Sequence, residues 1–431
     1  MKQVKVRQHI LDEFSCEPNK ENSEQTRFKN HRCMGILLFW TKLSIILFTV
    51  AEMQTSKNSL TRLKLHHHHL LSRHFTSLAE KQDQEHVLVE ENTHRIKMTL
   101  NRPKQLNSIT VEMMSKISSL MKKANQNQKQ FFILGNDKAF CAGGDLKEVL
   151  QSSSDKDKFM KIIHKTFGVL FRYATLKPTS VAVCDGYAFG MGGGFLSLST
   201  IRIVTEAAVL SMPQARNGMF SADGFAYACS QLPKYIGKFM TLTGETLKGN
   251  EICQAGLADH FVLRKNLPSL MSELDTLLQS GCGVDKLKEV ISKYEEKNEP
   301  KMLKDAEKLE KYFSDKYLKD IIGKLSKEVP KDPKAEYWLS KIKEGCPLML
   351  LANNYLIENT TGRSLEDCFS LEYYFINKLK TEDASIGLNR LFGKNKGDPT
   401  WSMSFEEIQT FNEDELIDNF PSYNIHTLSS Q

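Results

Sequence analysis

Two glycine-rich stretches constrain this chain more than any other feature. Each follows an apolar run and leads into a helical pattern: AFCAGGDLKEVL, Ala139 to Leu150, and GYAFGMGGGFLSLS, Gly186 to Ser199. The first turn of a helix carries backbone N–H groups with no partner inside the helix, and the positive end of its dipole. Two such amides aimed at one point form an oxyanion hole, where losing one donor typically costs about 10²–10³ in rate. Other glycine-loop chemistries do not fit. No G-K-[ST] follows either stretch, which excludes a phosphate-binding P-loop, and Phe195 stands where the third glycine of G-x-G-x-x-G belongs. Either stretch alone reads as a tight turn that permits close packing. The pair reads as a site.

The surrounding pattern predicts an α/β fold. HVLVEENTHRIKMTL, His86 to Leu100, alternates in character and reads as two short strands around a turn at Glu91-Asn92. Asn101-Arg102-Pro103 ends the second strand. Thr110 can cap a helix with apolar positions at Val111, Met114, Ile117, Leu120 and Met121. FFILG, Phe131 to Gly135, and KPTSVAVC, Lys177 to Cys184, read as further strands, and the two glycine-rich stretches as loops that open helices, the first at Asp145. Strands alternating with helices imply largely parallel pairing.

The formal net charge is +6, and all of it lies in the first 75 residues, where 12 Lys and Arg face 6 Asp and Glu. Residues 76–431 are therefore balanced. Their composition gives no sign of broad nucleic-acid affinity, although it leaves local basic patches open. The nine cysteines are scattered and contain no C-x-x-C pair, which argues against a disulfide framework or a zinc site and fits a reducing compartment. No metal is called for. His66 to His69 read as a polar tract rather than a metal site.

MGILLFWTKLSIILFTVA, Met34 to Ala51, has 18 mostly apolar residues, a short membrane-span candidate. Lys42 near its middle opposes that, because a mid-bilayer lysine costs about 2.5–3.5 kcal/mol on insertion scales. Met53 to Phe75 is rich in Ser, Thr and Leu, carries Lys57, Arg62, Lys64 and Arg73, and contains no acid. That is the composition of a mitochondrial presequence. The expectation is a start at Met53, processing near Thr76, a matrix location and no strong membrane association.

The series NRPKQLNSIT, AFCAGGDLKE, KPTSVAVCDGYAFGMGGG, MPQARNG and LTGETLKGNEICQAGLADHFV, in order from Asn101 to Val262, resembles the crotonase superfamily. Its members bind coenzyme A thioesters and stabilise enolate or tetrahedral oxyanions. The resemblance implies a spiral of ββα turns with a helical C-terminal region, a coenzyme A thioester as ligand and no other cofactor. Ser364 to Trp401, SLEDCFSLEYYFINKLKTEDASIGLNRLFGKNKGDPTW, resembles the C-terminal signature of the 3-hydroxyisobutyryl-CoA hydrolase branch. The chain divides accordingly into an N-terminal extension and presequence (1–75), a crotonase core (76–262), a Lys/Glu-rich helical region (263–345) and a hydrolase-type helical region (346–431). The Lys/Glu-rich stretch at 283–343 reads as solvated helices.

By this resemblance the oxyanion amides fall on Gly144 and Met191. The family's catalytic glutamate falls on Gln214 and a second functional carboxylate on Ala222, with Asp223 one residue late. The glutamate that completes the enoyl-CoA hydratase pair falls on Gly194. Farther on, the branch's D-F-x-E-G is Asp383-Ala384-Ser385-Ile386-Gly387, and its D-K-D is Gly393-Lys394-Asn395. An amide has no usable basicity, and losing general acid–base catalysis costs about 10²–10⁴-fold. Two readings follow. One is a catalytically dead or impaired scaffold acting through its surface. A member of this branch serves as a subunit of the mitochondrial small ribosomal subunit, so ribosomal proteins are its expected partners, with direct rRNA contact left open. The other is an active hydrolase of valine breakdown that uses Asp223 as a displaced acid. A binder of acyl-CoA without turnover lies between them.

Overall fold

The chain enters its fold through a hairpin. Strands β1 (Val87–Glu91) and β2 (Arg95–Leu100) pair antiparallel. The Asn92 side-chain oxygen closes the turn by accepting from the amides of His94 at 2.9 Å and Arg95 at 2.8 Å, a local bond that Asn is suited to make. Helix α1 (Val111–Gln126) begins where the Thr110 hydroxyl accepts from the Met113 amide, and it buries Met113, Met114, Ile117, Leu120, Met121 and Ala124. That spacing of three and four is one helical face. The computed structural model describes residues 85–279, 282–296, 303–378, 381–394 and 397–417. The segments 34–51 and 53–75 lie outside the described residues.

Three ββα turns follow. The first holds β3 (Gln130–Gly135), β4 (Ala139–Cys141), α2 (Leu146–Ser152) and α3 (Lys156–Ala174). The second holds β5 (Ser180–Cys184), β6 (Tyr187–Phe189) and α4 (Met191–Ser197). The third holds β7 (Ile201–Val204), β8 (Val209–Ser211), α5 (Phe225–Ser230) and α6 (Lys234–Thr243). After these come β9 (Thr246–Lys248), α7 (Asn250–Gln254) and β10 (His260–Phe261). One sheet runs β1-β2-β3-β5-β7-β10, parallel from β2 onward; the other runs β4-β6-β8-β9, with only the β8–β9 pair antiparallel. Each turn thus gives one strand to each sheet, which is the expected spiral. Both glycine-rich stretches begin as strands, β4 and β6, where a loop alone was expected.

Strand β5 is buried at every residue, as a central parallel strand must be. The outer face of the first sheet is covered by α8 (Leu267–Leu278) and α9 (Val284–Ser292), whose Leu270, Leu274, Leu287 and Ile291 meet Val181 and Ile203.

The Lys/Glu-rich stretch corrects the expectation of solvated helices. Helices α10 (Ala306–Phe313), α11 (Leu318–Glu328) and α12 (Pro333–Lys343) each bury an apolar stripe in the main core. Phe313 and Trp338 pack edge-on against Phe239 of α6, with ring centroids 5.5 and 5.7 Å away. Charge counting missed this because one buried residue in three or four is enough for a helix to dock. The same core continues into α13 (Pro347–Thr360) and α14 (Leu365–Lys378), so one hydrophobic cluster crosses the boundaries at 262 and 345. Helices α15 (Thr381–Leu391) and α16 (Phe405–Ile408) end the described residues apart from a short turn.

Trp338→Ala is expected to destabilise the protein by about 3–5 kcal/mol, whereas Lys343→Ala on the exposed face of the same helix should change stability by about 0.5 kcal/mol or less. Urea unfolding of the two variants decides it. Equal small effects would return this stretch to the solvent.

Candidate active site

The first loop is pinned on both sides. Asp145 caps α2 by accepting from the amides of Lys147 and Glu148, while its other oxygen takes Nη1 of Arg102 at 2.9 Å. The Ile109 amide donates to the Gly143 carbonyl at 2.8 Å, and the Asp145 amide donates to the Ile109 carbonyl at 2.9 Å. Gly144 therefore sits between two bonds of a parallel bridge. Amides alternate in direction along an extended chain, so the Gly144 N–H points away from Ile109. It donates to no described residue.

The second loop turns at Gly190, whose φ of +50° is suited to glycine, and α4 starts at Met191. Met191 supplies a first-turn amide that also has no acceptor among the described residues. A cavity of about 460 Å³ opens between the loops, and Gly144, Met191, Gln214, Ala222 and Asp223 all line it. These five positions are thus brought to one place. Phe159, Phe167, Met349 and Ile376 contribute apolar wall.

The third wall is the segment from Met212 to Asp223. Gln214 is buried at 9% exposure and opens a short 3-10 turn, Gln214–Asn217. Its side chain is engaged at both ends. Oε1 accepts from the Ser221 hydroxyl, and Nε2 donates to Oδ2 of Asp223, each at 3.3 Å. Position 222 offers only a methyl group, 8% exposed. Asp223 is half-buried with φ +70°, in the left-handed region that favours glycine. Burial pushes its carboxyl up to about 6, against the lowering effect of the Gln214 amide. The adjacent Gly194 has no room for a side chain, since a Cβ there would lie 2.4 Å from the Asp223 carbonyl oxygen.

Sequence reasoning missed the group behind Asp223. Glu372 of α14 is wholly buried and accepts from the amides of Gly224 at 2.8 Å and Ala226 at 3.1 Å. Burial pushes its carboxyl up to about 8, opposed by the two amides and reinforced by Asp223. Its signal was one acid inside the apolar run of SLEYYFI. Asn353 of α13 is a second such support, accepting from the Ser221 amide at 2.7 Å and donating to the Thr241 carbonyl at 2.8 Å. Asp383, the acid retained from the C-terminal signature, lies buried and accepts from the amide and hydroxyl of Ser402, at 2.8 and 2.6 Å.

A spiral of ββα turns with two amide-bearing loops over one apolar cavity defines a crotonase-fold protein. The family model described as enoyl-CoA hydratase/isomerase matches residues 95–420, and the chain belongs to that family. Its relatives include 3-hydroxyisobutyryl-CoA hydrolases. It is 29% identical to 3-hydroxyisobutyryl-CoA hydrolase-like protein 5 of Arabidopsis thaliana, over 74% of this chain and 85% of the relative. The mitochondrial 3-hydroxyisobutyryl-CoA hydrolase of Homo sapiens is 26% identical, over 85% and 95%. Small ribosomal subunit protein mS47 of Arabidopsis thaliana is 28% identical, over 77% and 83%. Among solved structures, a carnitinyl-CoA dehydratase from Mycobacterium thermoresistibile shares the fold with a TM-score of 0.66 at 22% identity, covering 76% of this chain and 96% of its own.

Glu372→Gln tests the support behind the site. A glutamine oxygen can accept from one of the two amides only, so the variant should lose about 1–3 kcal/mol at pH 5. The gap should narrow as pH rises to 8. A carboxyl raised in the folded state holds a proton that the unfolded chain gives up, so wild-type stability falls between the ordinary glutamate range and about 8. Urea midpoints of both proteins at pH 5 and 8 read this out, and an unchanged gap would mean that Glu372 does not titrate there.

Proposed function

We propose that this chain is a mitochondrial 3-hydroxyisobutyryl-CoA hydrolase-like protein that has lost its reacting carboxylates. It acts as a non-catalytic subunit of the mitochondrial small ribosomal subunit, with ribosomal proteins as its neighbours. The observation that carries this is Gln214. The amide at the family's glutamate position is buried and held by Ser221 and Asp223, and Ala222 beside it brings no acid. The likeness to mS47, a small-ribosomal-subunit protein, supports the ribosomal part. The mitochondrial relatives and the acid-free, basic segment 53–75 support the matrix location.

The cavity keeps the electrostatic part of thioester chemistry. An acyl-CoA thioester oxygen placed between Gly144 and Met191 would receive both free amides, and the apolar walls suit an acyl group. Hydrolysis also requires a group that takes a proton from water. Gln214 cannot do so, and the loss costs about 10²–10⁴-fold. The chain is therefore expected to bind acyl-CoA with little or no turnover.

One observation favours a second reading, in which hydrolysis continues on Asp223. Its carboxyl lines the cavity beside Gln214 and titrates near 6, so at neutral pH it is the ionised, proton-accepting form. Hydrolysis by that route would rise as pH passes through about 6 and level off above it.

Purified mature chain should hydrolyse 3-hydroxyisobutyryl-CoA at least about 10²-fold more slowly than a working hydrolase. The double change Gln214→Glu with Ala222→Asp should raise the rate. Brisk hydrolysis by the unaltered chain, abolished by Asp223→Ala and following a pH profile centred near 6, would establish the second reading instead. The ribosomal assignment has its own test: on a density gradient of mitochondrial lysate, the endogenous chain should travel with small ribosomal particles. Recovery only at the top of the gradient would remove it.

A further inference from the structure

A second cavity, of about 450 Å³, lies outside the acyl site in the furrow between α1 and α3. Its walls carry Ser115, Ser119 and Lys122 from α1, and Lys161, Lys165 and Arg172 from α3. The spacings are helical, so each set forms one face. Gly168 and Val169 form a buried floor. None of the four cations is in an ion pair among the described residues. Nε of Arg172 is buried and has no hydrogen-bond partner there. Burial alone pulls the Arg172 guanidinium below its ordinary range, with no carboxylate acting on it. Lys165 reaches across to the Ser115 hydroxyl, and His164 is tied to the Tyr373 hydroxyl, so the furrow holds its shape. The acids on these faces, Glu112 and Asp157, stand toward the helix starts and do not line the cavity.

Four unpaired cations and several hydroxyls around one furrow are the donor set of a phosphate-binding surface. Its length selects among phosphate ligands. Lys161 and Arg172 are eleven residues apart on α3, about 16 Å at 1.5 Å per residue. That exceeds one phosphate group and suits a run of them. Packed helices lie about 8–10 Å apart, so the furrow admits a single strand and not a duplex. We propose that the α1–α3 furrow binds the phosphate backbone of single-stranded RNA. The identity of that RNA as ribosomal rests on the function proposed above; the binding itself does not.

The test uses the purified chain and a fluorescent uridine dodecamer, followed by anisotropy between 50 and 200 mM salt. The logarithm of affinity should fall against the logarithm of salt with a slope of about −3, from four cations at about 0.7 each on a single strand. Lys122→Glu with Lys161→Glu, both exposed, should weaken binding at least 10-fold. Lys286→Glu with Lys288→Glu, an equal charge change on the exposed face of α9, should leave it within 2-fold. Arg172→Ala should also weaken binding, but the exposed pair decides the matter, because Arg172 is partly buried. Equal losses from both double variants would reduce the contact to net charge and overturn the proposal. Failure of the dodecamer to bind at 50 mM salt would do the same. Displacement of the dodecamer by ATP at equal phosphate concentration would assign the furrow to a free nucleotide instead. The assay contains no ribosome, so its failure is separable from failure to travel with ribosomal particles.

Discussion

The first turn of α4 rests directly on the end of β4. A Cβ at Gly192 would stand 2.0 Å from the Cys141 carbonyl oxygen, far inside any real contact. This backbone-on-backbone approach holds two successive turns of the spiral edge to edge and brings the Gly144 and Met191 amides to one cavity. A side chain at Gly192 would have to push β4 and α4 apart, and neither can yield, since Cys141, Phe195 and Leu196 are buried. The glycine run is thus a packing device first, and the site is a consequence of the packing. The frame depends on main-chain contacts, so the side chains at Gln214 and Ala222 leave it alone.

The third wall of the cavity has little regular structure of its own. Between β8 and α5 the chain makes one short 3-10 turn, and its order comes from behind. Asn353 takes the Ser221 amide, Glu372 takes those of Gly224 and Ala226, and Gly387 of α15 packs so closely on Asn217 that a Cβ would lie 2.2 Å from the Asn217 carbonyl carbon. All three supports come from helices more than a hundred residues later. The C-terminal region is therefore a brace for the site, and its departures from the family signature bear on the same loop. The Asp383 carbonyl lies against Gly218, at 1.9 Å from where a Cβ would be, so the start of α15 is pressed directly onto this loop.

Much of this was legible in the sequence where local chemistry decides. Asn92, Thr110 and Asp145 act within a few residues of themselves, so the hairpin, the α1 start and the α2 start could be read directly. Strands β4 and β6 could not, because three residues are too few to show a period of two. Glu372 was hidden for another reason: a buried acid looks like a surface acid until its distant amide partners are known. Charge shows the same limit. Residues 76–431 balance to zero, which argued for protein neighbours over RNA, yet Lys122, Lys161, Lys165 and Arg172 share one furrow with no acid in its walls. Net charge is a sum over the surface, and a binding surface is set by how that sum is distributed.

Gly194 and Asp223 constrain one another. The Asp223 main chain fills the place a side chain at 194 would need, so a second acid on α4 and the present course of the 220–224 loop exclude each other. A two-carboxylate hydratase site is therefore closed to this backbone, whatever residue stands at 214. Asp223 takes up the remaining space with its carboxyl beside Gln214 and near the buried Glu372, whose carboxyl it helps to raise. A carboxyl in that position holds its proton longer than an exposed one, and part of its ionised form is spent on the Gln214 amide. The cavity thus presents two free backbone amides, while Asp223, one of the acids in its wall beside Asp145 and Glu148, is partly engaged by the Gln214 amide.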